Sequence, residues 1–340
     1  MRILNAIHAQ NIGGVDQVFR NYNEVFLQNG HELALLISAN GNENYDAKKI
    51  FKLKNYSPLL DFFHLLWVVA KFRPQIILCH SNRLMKWMRF LRFFSAAKSV
   101  AINHGITFKH SLNCHYIISI NQQISDLVVE AGFEKEKSFV LQNVIKVDQK
   151  FCEKKIKAVP VIGIYGRIEP RKGFDILIKA AEILAKAGNN FRLKIGGFEV
   201  AKGYNLESLK ALAARSGVID KCDFVGTVFD KKNFFKDVDI FSVPSREEPF
   251  GIVILEGFLF STLVISSNSD GGKFLIKDGE NGLLFENGDA QELANKINYA
   301  LQNPIEYGRL TRSAFSRLEK DFSFTFLATE IEKILLKISA

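Results

Sequence analysis

Short aliphatic and β-branched runs recur through the first half of the chain, each followed by a longer stretch with helical spacing of its apolar positions. Residues 2–7, 33–38, 75–79, 99–103 and 116–120 read as strands, and residues 15–28 and 59–72 as helices between them. Strand and helix alternating in this way predicts a parallel sheet covered by helices on both faces. After a lysine-rich polar stretch, 148–157, the pattern restarts with strands at 160–165, 191–195, 223–225, 238–243 and 262–266. Residues 327–339 form a last amphipathic segment. The expectation is an α/β chain of two such units, 1–150 and 151–320, with residues 321–340 as a closing helix.

The 340 residues suffice for two domains, and 47% hydrophobic with 24% charged residues is the balance of a folded globular protein. No uncharged apolar run approaches the roughly 18–20 residues that span a bilayer. The first eight residues turn polar too early for a secretory core, so a cytoplasmic protein, or one lying on a membrane surface, is expected. Cys79, Cys114, Cys152 and Cys222 show no metal-ligand or disulfide-framework spacing. The net charge of +9 is uneven: residues 1–150 hold 18 Lys and Arg against 11 Asp and Glu, the remainder 27 against 25. A basic first half points to an anionic partner. No helix-turn-helix, RRM or zinc-knuckle pattern accompanies the charge, which ranks nucleic acid below a membrane or a phosphorylated glycan.

Two segments of the second half carry candidate chemistry. In Pro244-Ser245-Arg246-Glu247-Glu248-Pro249-Phe250-Gly251, followed by Ile252-Val253-Ile254-Leu255-Glu256, two glutamates flank a turn that opens an apolar helix. Such a turn gathers unpaired backbone N–H groups and the positive end of the helix dipole, a setting for a diphosphate. The carboxylates can accept hydrogen bonds from sugar hydroxyls. Upstream, Gly163-Ile164-Tyr165-Gly166-Arg167-Ile168-Glu169-Pro170-Arg171-Lys172-Gly173 follows the first strand of the second unit. Taken alone it reads as a solvated basic loop; with the glutamate block behind it, Arg and Lys can neutralise a departing diphosphate.

Together these segments resemble the sugar-donor signature of retaining glycosyltransferases of family GT4. The resemblance implies the GT-B architecture, two Rossmann-like domains facing a central cleft, with the last helix crossing back to the N-terminal domain. It implies that Arg167 and Lys172 grip the diphosphate, Glu256 holds the ribose hydroxyls and Glu248 the hydroxyls of the donor sugar. Gly166 lies in the same pattern. Phe250 and Gly251, with Ile252 and Val253 behind them, would offer backbone N–H groups, and Val225 and Thr227 would flank the base. A Gly13-Gly14 pair after the first strand sits where the family approaches the donor phosphates. His104 sits where the family places a histidine facing the donor sugar; the plain alternative is a satisfied histidine at a strand end. Three positions depart from the pattern: Gly257 where Ala is usual, Ser261 for Gly, and Leu275 for an acidic residue.

The implied activity is retaining, metal-independent transfer from a nucleoside-diphosphate sugar, UDP-linked by family default, to a glycan or lipid-linked acceptor of a bacterial surface polysaccharide or lipopolysaccharide. No Asp-x-Asp constellation stands near the phosphate-binding segments, so neither metal nor other cofactor is expected. The alternatives are a non-catalytic GT-B partner subunit and a GT-B sugar-nucleotide epimerase. Finally, Leu84-Met85-Lys86-Trp87-Met88-Arg89-Phe90-Leu91-Arg92-Phe93-Phe94 interleaves aromatic and basic residues. It reads either as a helix docking on an anionic membrane or as an ordinary cover helix turned toward its own sheet.

Overall fold

A computed structural model describes residues 1–8, 14–39, 45, 47, 49–54, 57–200 and 203–339. The chain forms two compact units, one of Met1–Lys146 with Phe322–Ala340, the other of Val147–Asp321.

In the first unit the strands are β1 (Arg2–Ala6), β2 (Glu32–Ser38), β3 (Lys49–Leu53), β4 (Ile76–Cys79), β5 (Lys98–Asn103), β6 (Tyr116–Ser119) and β7 (Ser138–Val140). Among the described residues they form one parallel sheet in the order β3-β2-β1-β4-β5-β6-β7. Helices α1 (Gly14–Gln28), α2 (Pro58–Phe72), α3 (Asn82–Leu91) and α4 (Gln122–Glu130) make the crossovers. Helix α1 buries Val18, Phe19, Tyr22, Val25 and Phe26, a stripe at three- and four-residue spacing. Helix α2 starts where the Ser57 hydroxyl accepts the Leu60 N–H, with Pro58 in the first turn, and stops at Arg73 in the left-handed region.

The second unit holds β8 (Val161–Ile168), α5 (Phe174–Lys186), β9 (Arg192–Glu199), α6 (Leu206–Arg215), β10 (Cys222–Gly226), α7 (Lys231–Lys236) and β11 (Ile240–Val243). It continues through α8 (Ile252–Leu259), β12 (Leu263–Ser267), α9 (Asp270–Leu275), β13 (Leu283–Phe285), α10 (Ala290–Gln302) and α11 (Pro304–Asp321). Its sheet, β10-β9-β8-β11-β12-β13, is parallel throughout. Ile162, Phe174, Leu177, Ile195, Ile240 and Leu293 are among the side chains of its core. In both sheets the winding direction reverses beside the first strand, the position at which doubly wound folds open a crevice for ligands.

The last helix, α12 (Phe324–Ser339), belongs to the first unit. Glu332 ties it there, accepting from Asn29 Nδ2 at 2.8 Å and meeting His31 Nε2 at 2.6 Å.

Strands β3, β7 and β13 escape a reading of apolar runs. Each is a short edge strand, so backbone pairing suffices without a long hydrophobic segment. Strand β8 also runs three residues past its expected end, because Gly196 and Gly197 of β9 let the pairing continue. A Cβ on Gly197 would lie 2.6 Å from the Gly166 carbonyl oxygen.

The three departures have local reasons. A Cβ on Gly257 would stand 2.4 Å from Val264 Cγ2, so α8 packs against β12 too closely for Ala. Ser261 adopts φ 50°, the left-handed conformation glycine favours, and its hydroxyl accepts the Cys152 N–H at 3.1 Å. Leu275 is fully buried, where a carboxylate would be desolvated.

Candidate active site

The reversal between β8 and β11 brings together segments more than seventy residues apart. The chain leaves β8 through a turn at Pro170–Lys172 and enters α5 at Gly173, whose φ is 69°. A Cβ there would lie 1.9 Å from the carbonyl oxygen of Pro244, so the turn rests directly on the exit of β11. Arg246 pins the two. Its N–H donates to Arg171 O and its Nη1 to Pro170 O, each at 2.7 Å, while the guanidinium forks onto Asp175 at 2.9 and 2.7 Å. Burial pushes the Asp175 carboxyl up, but the hydrogen bonds and charge of Arg246 outweigh it and hold the group below its ordinary range.

On this platform Lys172 Nζ meets Glu248 Oε2 at 2.5 Å, both side chains largely buried. The loop after Glu248 is held from the other side. The Gly271 N–H donates to Glu248 O at 2.6 Å, and a Cβ on Gly271 would fall 2.3 Å from Phe250 O. Helix α8 then follows Gly251, its N-cap, with φ 95° and no side-chain cap; Ile254 N–H donates back to Gly251 O at 2.9 Å, which leaves the N–H groups of Ile252 and Val253 without a helical partner.

One turn further, Glu256 is buried. Its Oε2 accepts the Tyr165 hydroxyl and its Oε1 accepts Lys231 Nζ, from the first turn of α7. The Tyr165 ring is walled by Phe234, Phe241 and Phe235, with centroids at 5.0, 5.2 and 5.8 Å. Burial, reinforced by the Glu256 charge, keeps the phenol protonated well above its ordinary range. Tyr165 is therefore a hydrogen donor to the carboxylate.

Glu248, Lys172, Glu256, Gly251 and the half-buried first-turn residues Ile252 and Val253 thus share one end of the second unit. Gly166 and Arg167 lie inside β8 rather than in the loop expected after it, and Arg167 reaches Glu169 at 3.3 Å. Val225 and Thr227 are exposed at the end of β10, on either side of Gly226 at φ 69°. The Phe250 side chain is buried against Phe274. Gly14 begins α1; Gly13 lies outside the described residues. Tyr165, Lys231 and the Arg246–Asp175 pair carry no signal that sets them apart in sequence. Only folding shows their partners.

In the first unit, His80 and His104 follow the ends of β4 and β5. His80 Nδ1 lies 3.2 Å from His104 Nε2, and the rings stack at 5.3 Å. Burial lowers His104 from 6.5 to about 4, and burial together with the neighbouring His104 holds His80 well below its ordinary value, so both are neutral near pH 7.

Helix α3 divides the aromatic-basic segment between its two readings. Leu84, Met85, Trp87, Met88 and Leu91 are buried, so Trp87 belongs to the core. Phe90, Phe93 and Phe94 are exposed, the last two by 77% and 70%, with Lys86, Arg89 and Arg92 beside them. Helix α2 extends the apolar surface with exposed Leu59, Leu60, Phe63 and Trp67, and the Phe62 ring bridges Phe63 to Phe90. No helix among the described residues is long and apolar enough to cross a membrane. None of their His, Cys, Asp and Glu side chains form a group of three placed to hold a metal ion.

Residues 147–317 match the family model described as glycosyl transferases group 1. The chain is 30% identical to the lipopolysaccharide core biosynthesis glycosyltransferase LpsE of Rhizobium meliloti over 62% of its own length and 61% of that protein, less than two thirds of the relative. An uncharacterized glycosyltransferase of Haemophilus influenzae is 27% identical over 95% of this chain and 96% of its own. Among solved structures, Anabaena HepE in complex with UDP superposes with a TM-score of 0.84 at 19% identity, covering 98% of this chain and 99% of that one. At that identity the likeness shows the fold: two parallel-sheet Rossmann-like units, α/β, as in GT-B glycosyltransferases.

Proposed function

This chain belongs to the glycosyl transferases group 1, and from that premise we propose that it moves a sugar from a nucleoside-diphosphate sugar to an acceptor hydroxyl with retention of configuration. The observation that carries the reading is the convergence of Lys172, Glu248, Glu256 and the uncapped start of α8 at one sheet crevice.

In this reading Glu256 accepts hydrogen bonds from the ribose diol. The first turn of α8, with Lys172 and Arg167, takes the diphosphate. Glu248, now paired with Lys172, turns one carboxylate face to the hydroxyls of the donor sugar. Cations and backbone N–H groups stabilise the charge that grows on the leaving diphosphate, the work a metal ion does in other transferases. The bond from the anomeric carbon to the phosphate oxygen breaks as the acceptor oxygen bonds on the same face. The acceptor proton passes to an oxygen of the departing phosphate. A neutral His104 serves as a hydrogen-bond partner and not as a cation.

UDP is the favoured nucleotide, supported by the UDP-bound structural neighbour. The lipopolysaccharide-core relative supports a surface glycan or lipid-linked acceptor. The exposed aromatics of α2 and α3, set among Lys86, Arg89 and Arg92, support peripheral docking on an anionic cytoplasmic leaflet.

Separate calorimetric titrations of UDP, GDP and ADP, with Glu256→Ala as control, test the donor site. One nucleotide should bind, and the substitution should weaken it at least about tenfold, the worth of one or two hydrogen bonds to a charged acceptor. No binding of any nucleotide would leave the fold and remove the catalytic reading.

A further inference from the structure

The buried Glu256 carboxylate is held by two hydrogen donors from two different elements. Tyr165 of β8 donates to one oxygen and Lys231 of α7 to the other. A carboxylate offers about four lone-pair directions, two on each oxygen. With one direction on each oxygen occupied, one on each remains, and together they match the two O–H groups of a ribose cis-diol. Lys231 also sets a positive charge directly against this buried carboxylate.

We propose that Lys231 is a positioning residue of the sugar-nucleotide site, fixing Glu256 together with Tyr165 as an oriented acceptor for the ribose hydroxyls. The inference rests on the reading of Glu256 as the ribose ligand. Lys231 is suited to the task. It stands at the first position of α7, where Asp230 caps the helix by accepting the Asn233 N–H at 2.9 Å. The next turn of that helix contributes Phe234 and Phe235, which wall in Tyr165. One short helix therefore sets the counter-ion of Glu256 and the packing of its other partner.

The test compares UDP with 2′,3′-dideoxy-UDP by calorimetry (or the diphosphate that binds in the titration above with its dideoxy form). The proteins are the wild type, Lys231→Met, Lys231→Arg and Tyr165→Phe. The wild type should prefer the ribose form at least about tenfold, the effect of losing hydrogen bonds to a charged group. Lys231→Met should erase most of that preference while leaving the dideoxy affinity unchanged, and Lys231→Arg should restore it. Tyr165→Phe, which removes one hydroxyl and little packing, should reduce the preference in the same sense. If Lys231→Met weakens both nucleotides equally, or the preference survives in both the Met and Phe variants, the proposal is overturned. A wild type that binds both nucleotides equally would instead refute the role of Glu256 on which it rests.

Discussion

Replacing Gly173 by alanine should cost far more than the same change fifteen residues on at Gly188. The two glycines bracket α5, and both have positive φ, 69° and 81°. Each alanine therefore meets a left-handed penalty of about 1 kcal/mol. The surroundings differ. Nothing lies within 4 Å of a Cβ on Gly188, whereas a Cβ on Gly173 meets the Pro244 carbonyl oxygen at 1.9 Å. Relieving that overlap requires a displacement of roughly 1 Å between two close-packed backbones. The movement separates the turn carrying Lys172 from the exit of β11 and stretches the two 2.7 Å bonds from Arg246 to Arg171 O and Pro170 O. At about 1 kcal/mol for each bond, Gly173→Ala should lose about 2 kcal/mol beyond Gly188→Ala. Urea unfolding of both variants measures the difference. Nucleotide titration should show at least a tenfold weaker Kd for Gly173→Ala and a change under about twofold for Gly188→Ala, since about 1.4 kcal/mol is tenfold. Equal stability losses and equal affinities would refute the claim that this glycine sets the distance between the two halves of the site.

Three further outcomes follow from the same geometry. Lys172→Met leaves Glu248 without its cation and removes a phosphate contact, so nucleotide affinity should fall at least about tenfold, whereas the exposed Lys186→Met, remote in sequence on α5, should leave it unchanged. Folded His104 has its proton affinity lowered to about 4 against 6.5 when unfolded, so between those values the unfolded chain takes the proton first. Stability should therefore decline as pH falls from about 6.5 to about 4, by about 3 kcal/mol from this group, and level off below; His104→Gln should flatten the slope in pH-dependent unfolding. Substituting Phe93 and Phe94 by serine should reduce sedimentation with anionic vesicles, and neutralising Lys86, Arg89 and Arg92 should make the remaining binding insensitive to salt. Unchanged binding in both variants would remove α3 as a membrane contact.

The order of strands and helices is legible in the chain because burying a sheet on both faces demands runs such as Ile76–Cys79, an uninterrupted apolar segment, and Ile240–Val243, broken only by Ser242. Lys172 and Glu248 stand out because they flank glycine turns beyond β8 and β11, Glu256 because it lies in the helix that the second turn opens, and Arg167 because it follows a glycine, although folding places it inside β8. Local sequence thus determined which residues have the chemistry. Their partners depended on tertiary structure, since contact across 25 to 91 residues follows from how the elements are packed and not from spacing. That is why Lys172 meets Glu248, why Arg246 rather than a neighbour pins the β8 turn, and why Lys231 and Tyr165 converge on Glu256. It is also why Trp87 is spent in the core while Phe93 and Phe94 reach solvent: a helix shows its periodicity in sequence, but only the sheet it covers decides which face turns inward.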